Sequence, residues 1–445
     1  MSNTSSPGPK VSINQKAVGR LESGHPWIFA SDLVDAGAAK PGDAVVVTSP
    51  RGQLLGTAHF SSTSQIALRM LSRQIVPIDA AFFRQRIEMA SQYRRQAVEN
   101  SDAFRLVHSE GDLLPGLIVD NYAGHLVAQF LDQGMDAATP LIVQTLTELL
   151  EPHAIVARND VAARKHESLP LEKKVLAGVL KSAVHVTMNG LRLEADLLGG
   201  QKTGVYLDQR ENYLAASRYV RPQMRVLDCF TSTGGFALHM ARAGAQVDAI
   251  DSSAPALETA RRNAAANELT ARIRWREADV PRLLRAFSTS RTKYDIVVLD
   301  PPAFAKSRGS VADALRGYRD LNLRALQMLE PGGILVTCSC SHHVSGEMLF
   351  EAVKEAAREA GWVLRVLGLR FQAQDHPVLI SVPETLYLKV LTLQVFARST
   401  DSSIGEKTVY GTLPLRQGAG PSAGGDGAAL PGAEPPLPPV AGASE

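Results

Sequence analysis

Two short motifs carry residue types that can do covalent chemistry. The motif TCSCS at residues 337–341 places two cysteines at the end of an apolar run, and the motif DPPAF at residues 300–304 places a carboxylate after an earlier one. Cysteine is partly thiolate near neutral pH, so it is a competent nucleophile. The paired prolines remove two backbone donors and stiffen the chain, which predicts that Asp300 is held at a fixed position.

A glycine-rich stretch at residues 226–251, VLDCFTSTGGFALHMARAGAQVDAID, predicts a strand, a turn, a helix and a second strand. Glycines let the backbone approach a ligand, and Asp251 at the end of the second strand can accept hydrogen bonds from a ribose diol. Neither phosphate-binding glycine motif is present, and Asp228 would repel a phosphate but suits a cationic amino-acid group. The pattern therefore predicts S-adenosylmethionine. A strand, turn and helix without a ligand is the alternative.

A thiolate, a fixed carboxylate and a methyl donor together suit methylation of a pyrimidine at C5. That carbon becomes nucleophilic when a thiolate adds to C6, and loss of the C5 proton followed by elimination of the thiol restores the ring. Asp300 would contact the N3/N4 edge of cytosine, carrying or sharing a proton when it donates to N3. A target base in structured RNA must also leave its stack. Methylation of an exocyclic amine needs no cysteine, and two merely buried cysteines would be structural.

The segments after Asp251 alternate between strand and helix patterns. This alternation predicts a parallel sheet with helices on both faces, in which ligands lie outside the carboxyl ends of the strands. The predicted strands are Ile273 to Glu277, Tyr294 to Leu299 and Ile334 to Thr337, and the predicted helices are Pro255 to Asn267, Pro281 to Phe287, Leu315 to Met328 and Glu347 to Ala360. We expect the residues that follow the strands to share one edge, namely Asp228, Asp251, Asp279, Asp300 and Cys340.

The first half of the chain has a different pattern. Short strands separated by turns predict a small β-rich domain from Val11 to about Leu71, with HPWIF at residues 25–29 in its core. The following segments predict a helix over residues 79–98, a strand pair, a helix from Thr139 to Leu150, a strand from His153 to Ala157 and a strand near Val184 to Leu193. The polar cluster in KTGVYLDQR at residues 202–210 favours a binding role.

Composition limits the class of protein. A chain of 445 residues predicts two or three domains, and no apolar run approaches the roughly 20 residues that span a bilayer. The N-terminus has no apolar leader pattern, and three cysteines are too few for a disulfide scaffold, so we expect a cytoplasmic protein without a metal site. A net charge of +2 permits nucleic-acid binding without demonstrating it.

Several motifs together resemble one family. CFTSTGGFAL, DPPAFAKS, RGYRDLN, GGILVTCSCS and PETLYLKV, with HPWIF and KTGVYLDQR upstream, are similar to the RlmI-type large-subunit ribosomal RNA cytosine-5 methyltransferases. The resemblance implies an α/β fold in which a PUA domain and a central α+β domain precede a Rossmann-like class I methyltransferase domain. The expected boundaries are 11–73, 74–190 and 191–397, with a disordered N-terminus at 1–10 and a disordered Gly/Pro/Ala-rich tail at 398–445.

The resemblance also implies roles for particular residues. The nucleophile aligns with Cys340, since the family pattern has no cysteine at position 338, and Asp300 would be the second catalytic residue. Asp251 would hold the ribose and Asp279 the adenine amine. The full expected cofactor-binding set is Tyr206, Gln209, Arg210, Asp228, Phe230, Thr233, Gly234, Gly235, Asp251, Ser252, Asp279, Asp300 and Pro301. The expected partner is large-subunit ribosomal RNA, a homodimer is left open, and a non-catalytic RNA-binding assembly factor is the third alternative.

Overall fold

The computed structural model of the protein describes residues 8–180, 183–200, 205–289, 292–305 and 308–398. The predicted disordered segments therefore lie almost wholly outside the described residues. Lys10, the last residue of the first segment, and Arg398, the first residue of the second, both belong to strands. Lys202 and Gly204 of the polar cluster, and Lys306 and Ser307 after DPPAF, also lie outside the described residues.

A six-stranded sheet forms the N-terminal part of the chain. In spatial order its strands are Trp27–Phe29, Ile66–Ser72, Leu54–Phe60, Ala44–Thr48, Lys10–Ile13 and Leu33–Asp35. The helix Gln15–Glu22 packs on this sheet and begins at Asn14, whose side chain accepts a hydrogen bond from the Ala17 amide at 2.9 Å. This capping satisfies one of the free amides of the first turn. The strand-rich prediction for this region is confirmed.

The HPWIF segment contributes only partly to that core. Ile28 is buried in it, but Trp27 is half-buried and its Nε1 donates to Glu110 Oε1 at 2.8 Å. His25 lies 3.1 Å from Glu384. The prediction that the whole motif is core was therefore wrong, because two of its aromatic side chains contact residues far along the chain.

A five-stranded sheet follows. Its strands are Ala103–His108, Leu117–Tyr122, His125–Phe130, Ala154–Arg158 and Lys173–Gly178, and its helices are Ala80–Ala97, Gln133–Ala137, Thr139–Leu150 and Ala163–His166. The helix predicted over 79–98 and the helix from Thr139 are confirmed. The strand Lys173–Gly178 was not predicted, because it lies at the sheet edge and its side chains are mostly exposed.

The strand predicted near Val184 to Leu193 is instead a hairpin. Its strands are Val184–Met188 and Leu191–Ala195, joined by Asn189 and Gly190, which have φ of 52° and 75°. Positive φ at both central residues is the signature of a tight two-residue turn. The hairpin crosses the predicted domain boundary at residue 190, and its apolar residues share a core with residues on both sides. That boundary stays a prediction.

A seven-stranded sheet forms the C-terminal part of the described chain. Its strands are β1 Arg225–Cys229, β2 Gln246–Asp251, β3 Ile273–Glu277, β4 Tyr294–Leu299, β5 Leu329–Ser339, β6 Trp362–Arg370 and β7 Lys389–Arg398. Its helices are α1 Arg210–Ser217, α2 Gly235–Arg242, α3 Ala254–Ala266, α4 Val280–Ser288, α5 Val311–Met328 and α6 Gly346–Ala360. Every predicted element after Asp251 is confirmed within a few residues.

The strands of this sheet lie in the order β3-β2-β1-β4-β5-β7-β6. The pairs from β3 to β5 are parallel, whereas β7 runs antiparallel between β5 and β6. The order reverses between β1 and β4, and such a switch point opens a crevice at the carboxyl ends of the strands. Among the described residues, no helix is long and apolar enough to cross a membrane.

Candidate active site

The glycine-rich turn after β1 is organised by Asp228. This residue lies inside β1 rather than after it, and it is fully buried. Its Oδ2 accepts hydrogen bonds from Thr231 Oγ1 at 2.5 Å and from the Ala237 amide at 2.9 Å, which ties the turn to α2. Its Oδ1 has no hydrogen-bond partner among the described residues. Burial raises the pKa of Asp228 to about 7, which disfavours the carboxylate unless a cationic group binds beside it.

The turn itself needs its unusual backbone. Phe230, Ser232 and Gly234 have φ of 64°, 50° and 91°, in the left-handed region. A β carbon on Gly234 would lie 2.9 Å from the Trp275 ring, and one on Gly235 would overlap the Tyr213 ring. Both glycines are therefore required by aromatic side chains that pack against the turn.

The next two predicted cofactor residues are also held by backbone amides. Asp251 ends β2 and is half-buried; its two oxygens accept from the Ser232 and Ser253 amides, each at 2.9 Å. Asp279 is exposed and caps α4, where its Oδ1 accepts from the Arg282 amide at 2.8 Å. A carboxylate oxygen that accepts one bond keeps acceptor capacity, so both groups can also receive a donor from a ligand.

Three further residues of the predicted cofactor-binding set lie near the carboxyl ends of these strands. The carbonyl oxygen of Thr233 accepts from Asn263 Nδ2 at 3.2 Å, which fixes the turn against α3. Ser252 is exposed beside Asp251, and Tyr206 is half-buried just before α1.

Asp300 lies between the predicted cofactor residues and the cysteine motif. It follows β4, and its Oδ2 accepts from Gln209 Nε2 at 3.0 Å. Gln209 is buried and its Oε1 accepts from Asn212 at 2.8 Å, so the amide orientation is fixed by two partners. The next residue, Pro301, places its carbonyl oxygen 3.9 Å from Cys340 Sγ. The structure thus brings Asp300, Gln209 and Cys340 together.

The three cysteines differ sharply in exposure. Cys340 is half-buried just after the end of β5, whereas Cys229 and Cys338 are fully buried. Burial raises the pKa of Cys229 and of Cys338 well above the ordinary value, which disfavours their thiolates. Cys340 is therefore the cysteine that a substrate can reach.

The residue after Cys340 fixes the loop that carries it. Ser341 Oγ accepts from the Ala305 amide at 3.3 Å and lies 3.1 Å from Tyr318 Oη. Its carbonyl oxygen accepts from Lys389 Nζ at 2.7 Å. The residue after DPPAF, α5 and β7 thus all contact Ser341, which holds the neighbouring thiol at a defined position.

Lys389 is a site residue that the sequence reasoning missed. It is 4% exposed, and its ammonium also donates to the Tyr387 carbonyl at 2.8 Å. Among the described residues no carboxylate lies within ion-pair distance of it. Burial lowers the pKa of Lys389 to about 8, the nearby Cys340 thiolate opposes that change, and the group is still mostly cationic at pH 7. The available signal was a single lysine within the apolar strand LYLKVLTLQV.

Arg210 of the predicted cofactor set takes part in a buried ion pair. It is buried, and its guanidinium pairs with Asp375 at 3.1 Å and lies 3.6 Å from Glu211. Asp375 also accepts from the Arg105 amide at 2.8 Å. Arg210 therefore ties α1 to the five-stranded sheet and to the segment before β7. The cofactor-binding role of Arg210 stays a prediction.

The sheet order and the carboxylates at its carboxyl edge define a class I S-adenosylmethionine-dependent methyltransferase. Residues 105–379 match the S-adenosylmethionine-dependent methyltransferase family, and residues 11–73 match the PUA-like domain family. Ribosomal RNA large subunit methyltransferase I from Tolumonas auensis is 39% identical over 83% of this chain and 95% of its own length. The protein of the same name from Vibrio cholerae is 38% identical over 84% and 96%. The chain belongs to the ribosomal RNA large subunit methyltransferase I family.

Solved structures agree on the fold. A methyltransferase crystallised with SAH superimposes with a TM-score of 0.76 at 20% identity, covering 87% of this chain and all of the other. A SAM-dependent methyltransferase from Streptococcus mutans gives a TM-score of 0.75, also at 20% identity and with the same coverage. The cofactor of the family is S-adenosylmethionine.

Proposed function

We propose that this protein methylates C5 of a cytosine in large-subunit ribosomal RNA through a covalent intermediate on Cys340. The observation that carries this proposal is the placement of the half-buried Cys340 thiol 3.9 Å from the carbonyl of Pro301, directly beside Asp300. Methylation of an exocyclic amine requires no thiol at this position. The relatives named ribosomal RNA large subunit methyltransferase I support the choice of RNA.

The described residues fit S-adenosylmethionine. The unpaired Oδ1 of Asp228 is a buried acceptor that suits the cationic amino group, and Asp251 offers acceptors to the ribose. Asp279 keeps acceptor capacity for the adenine amine. When bound, the cofactor supplies an electrophilic methyl group. The turn from Phe230 to Gly235, with Asp228, would hold its methionine portion.

The protein then performs the remaining steps with its own groups. The Cys340 thiolate forms a bond to C6, which moves electron density to C5 so that C5 takes the methyl group. Asp300, oriented by Gln209, binds the N3/N4 edge and gives its proton to N3 as the thiolate adds. The C5 proton then passes to the Asp300 carboxylate or to water, the N3 proton passes to the other of the two, and the C6–S bond breaks to regenerate the thiolate.

Lys389 assists the thiolate. Its buried ammonium is held by the carbonyls of Ser341 and Tyr387 and has no carboxylate partner among the described residues. A cation close to a thiol favours the ionised form, and the effect is larger where water is excluded. Lys389 thus makes Cys340 a better nucleophile at neutral pH.

Trapping with RNA that contains 5-fluorocytosine tests the mechanism. Fluorine cannot leave C5 as a proton does, so elimination fails and a covalent protein–RNA adduct accumulates. We expect the adduct with the wild type and with Cys338→Ala, and none with Cys340→Ala. Methyl transfer without any adduct would favour the exocyclic-amine alternative at the DPPAF turn. A cytoplasmic location and a homodimer stay predictions, which cell fractionation and sedimentation test.

A further inference from the structure

A cavity of about 580 Å³ lies next to the candidate active site. Trp27 of the N-terminal sheet, His108 of the five-stranded sheet, and His342 and Tyr387 of the C-terminal region all line it. Ligand pockets of roughly 300–1,000 Å³ hold small molecules, so this volume accommodates one nucleotide. Among the described residues, the lining does not include Cys340 or Asp300.

Residues that line the cavity are nevertheless close in sequence to the residues of the candidate active site. Asp208 lines it, and the following residue, Gln209, donates to Asp300. His342 lines it two residues after Cys340, a span of at most about 7 Å along the backbone. A strand of RNA whose target base reaches Cys340 therefore has a neighbouring base within reach of the cavity.

The aromatic walls suit a flat ring. His342 and Tyr387 have ring centroids 5.5 Å apart with planes inclined by 32°, and His108 lies 6.4 Å from Tyr387 at 34°. These three rings give the wall of the cavity an aromatic surface. Burial lowers the pKa of His108, and partial desolvation lowers that of the exposed His342, so both rings are mostly uncharged at neutral pH. Unstacked bases of RNA bind by stacking on aromatic side chains of this kind.

The charges of the lining disfavour a phosphate. The Arg105 guanidinium donates to Asp120 at 2.7 Å and lies 3.2 Å from His108. Three carboxylates, Glu110, Asp208 and Glu384, also line the cavity. Glu110 and Asp208 accept hydrogen bonds from Trp27 and Tyr387, each at 2.8 Å, and carboxylate oxygens suit an exocyclic amine rather than an anion.

We propose that this cavity holds the base of an unstacked nucleotide adjacent to the target cytosine, stacked on His342 and Tyr387. The proposal rests on the proposed function, because it takes RNA as the substrate. It adds a second recognised base, so that part of the sequence specificity comes from a nucleotide that undergoes no reaction. Walls from all three parts of the described chain complete the pocket.

The test compares His342→Ala with His343→Ala, which removes the neighbouring exposed histidine that does not line the cavity. We expect His342→Ala to weaken RNA binding by about 5- to 100-fold, the range for loss of one stacked base, without changing the salt dependence. His342→Phe should restore binding, and His343→Ala should behave as the wild type. Since His342 is at the surface, circular dichroism should show all variants folded.

RNAs that lack one base at a time beside the target identify the occupant. At one flanking position, removal of the base should weaken binding at least as much as His342→Ala does, and on that RNA His342→Ala should cause no further loss. Wild-type binding by His342→Ala, or additive losses at every flanking position, would overturn the proposal. Binding is measured on Cys340→Ala protein without turnover, so failure of methyl transfer to cytosine is a separate result that would overturn only the proposed function.

Discussion

At the residue scale, exposure distinguishes Cys340 from Cys338. Replacing Cys340 by alanine should lower methyl transfer by about 10³-fold or more, because the covalent step is lost, while cofactor affinity stays nearly unchanged. Cys338→Ala should retain most activity, since that side chain is fully buried in β5. Single-turnover rates with labelled S-adenosylmethionine measure both variants. Equal losses in the two would show that the nucleophile was assigned wrongly.

Lys389 gives a second residue-scale prediction. In Lys389→Met the buried cation is lost, so the pH midpoint for alkylation of Cys340 by iodoacetamide should rise by about one to two pH units. Lys293→Met is the matched control, because its ammonium also donates to a backbone carbonyl, that of Gln327 at 2.6 Å, far along the chain from Cys340. Alkylation rates are followed by mass spectrometry of the Cys340 peptide. An unchanged midpoint in Lys389→Met would exclude its role in thiolate formation.

At the element scale, Asp279 has two separable tasks. It caps α4 through the Arg282 amide, and we propose that it also accepts from the adenine amine. Asp279→Ala should reduce the free energy of unfolding by about 1 kcal/mol through loss of the cap. Asp279→Ser restores the cap but not the carboxylate, so stability should recover while cofactor affinity stays about tenfold weaker.

Urea unfolding and calorimetric titration with S-adenosylmethionine measure these two effects of the Asp279 variants. If Asp279→Ser binds the cofactor like the wild type, the residue is a helix cap alone.

The elements near the site also show what sequence alone can predict. The spacing of apolar residues and the turn residues predicted the bounds of β3 and β4 to the residue. The predicted strand ends also correctly indicated where Asp251, Asp300 and Cys340 lie. The role of Lys389 could not be predicted, because it depends on antiparallel pairing of Ser339 with a residue fifty positions later in the chain. The buried ion pair of Arg210 could not be predicted for the same reason, because its partner, Asp375, comes from a distant segment.

At the scale of the whole molecule, Asp228 should make stability depend on pH. Its pKa is raised by burial from 3.8 to about 7, so the folded protein holds a proton that the unfolded chain releases. That contribution is present at low pH and is lost as the pH rises through 7, by about 1.4 kcal/mol between pH 6 and 8. The pKa of Asp132 is also raised, to about 6, so this residue too stabilises the folded protein more at low pH. Most of its contribution is lost at lower pH than that of Asp228.

Asp228→Asn keeps an acceptor for the turn and removes the titration. Between pH 6 and 8 the free energy of unfolding of the variant should therefore fall less, or rise more, than that of the wild type, measured with urea in the absence of cofactor. The buried His59, with a pKa of about 4, acts in the opposite sense to Asp228, because unfolding restores its ordinary pKa near 6.5, but it does so equally in both proteins. The same pH dependence in both proteins would mean that Asp228 does not titrate on unfolding.

The arrangement of the three parts follows from contacts that only the folded chain reveals. Trp27 reaches Glu110, and Arg105 meets Asp375, so the N-terminal sheet, the five-stranded sheet and the C-terminal region enclose one cavity beside Cys340. The motif HPWIF gave no sign of this in the sequence, where its aromatic residues resemble ordinary core.

The central claim is tested most directly by methyl transfer from labelled S-adenosylmethionine to deproteinised large-subunit ribosomal RNA from cells that lack this protein, followed by nucleoside digestion. We predict label in 5-methylcytosine with the wild type and none with Cys340→Ala. Label in a methylated purine, or in 5-methylcytosine at an undiminished rate with Cys340→Ala, would contradict the account.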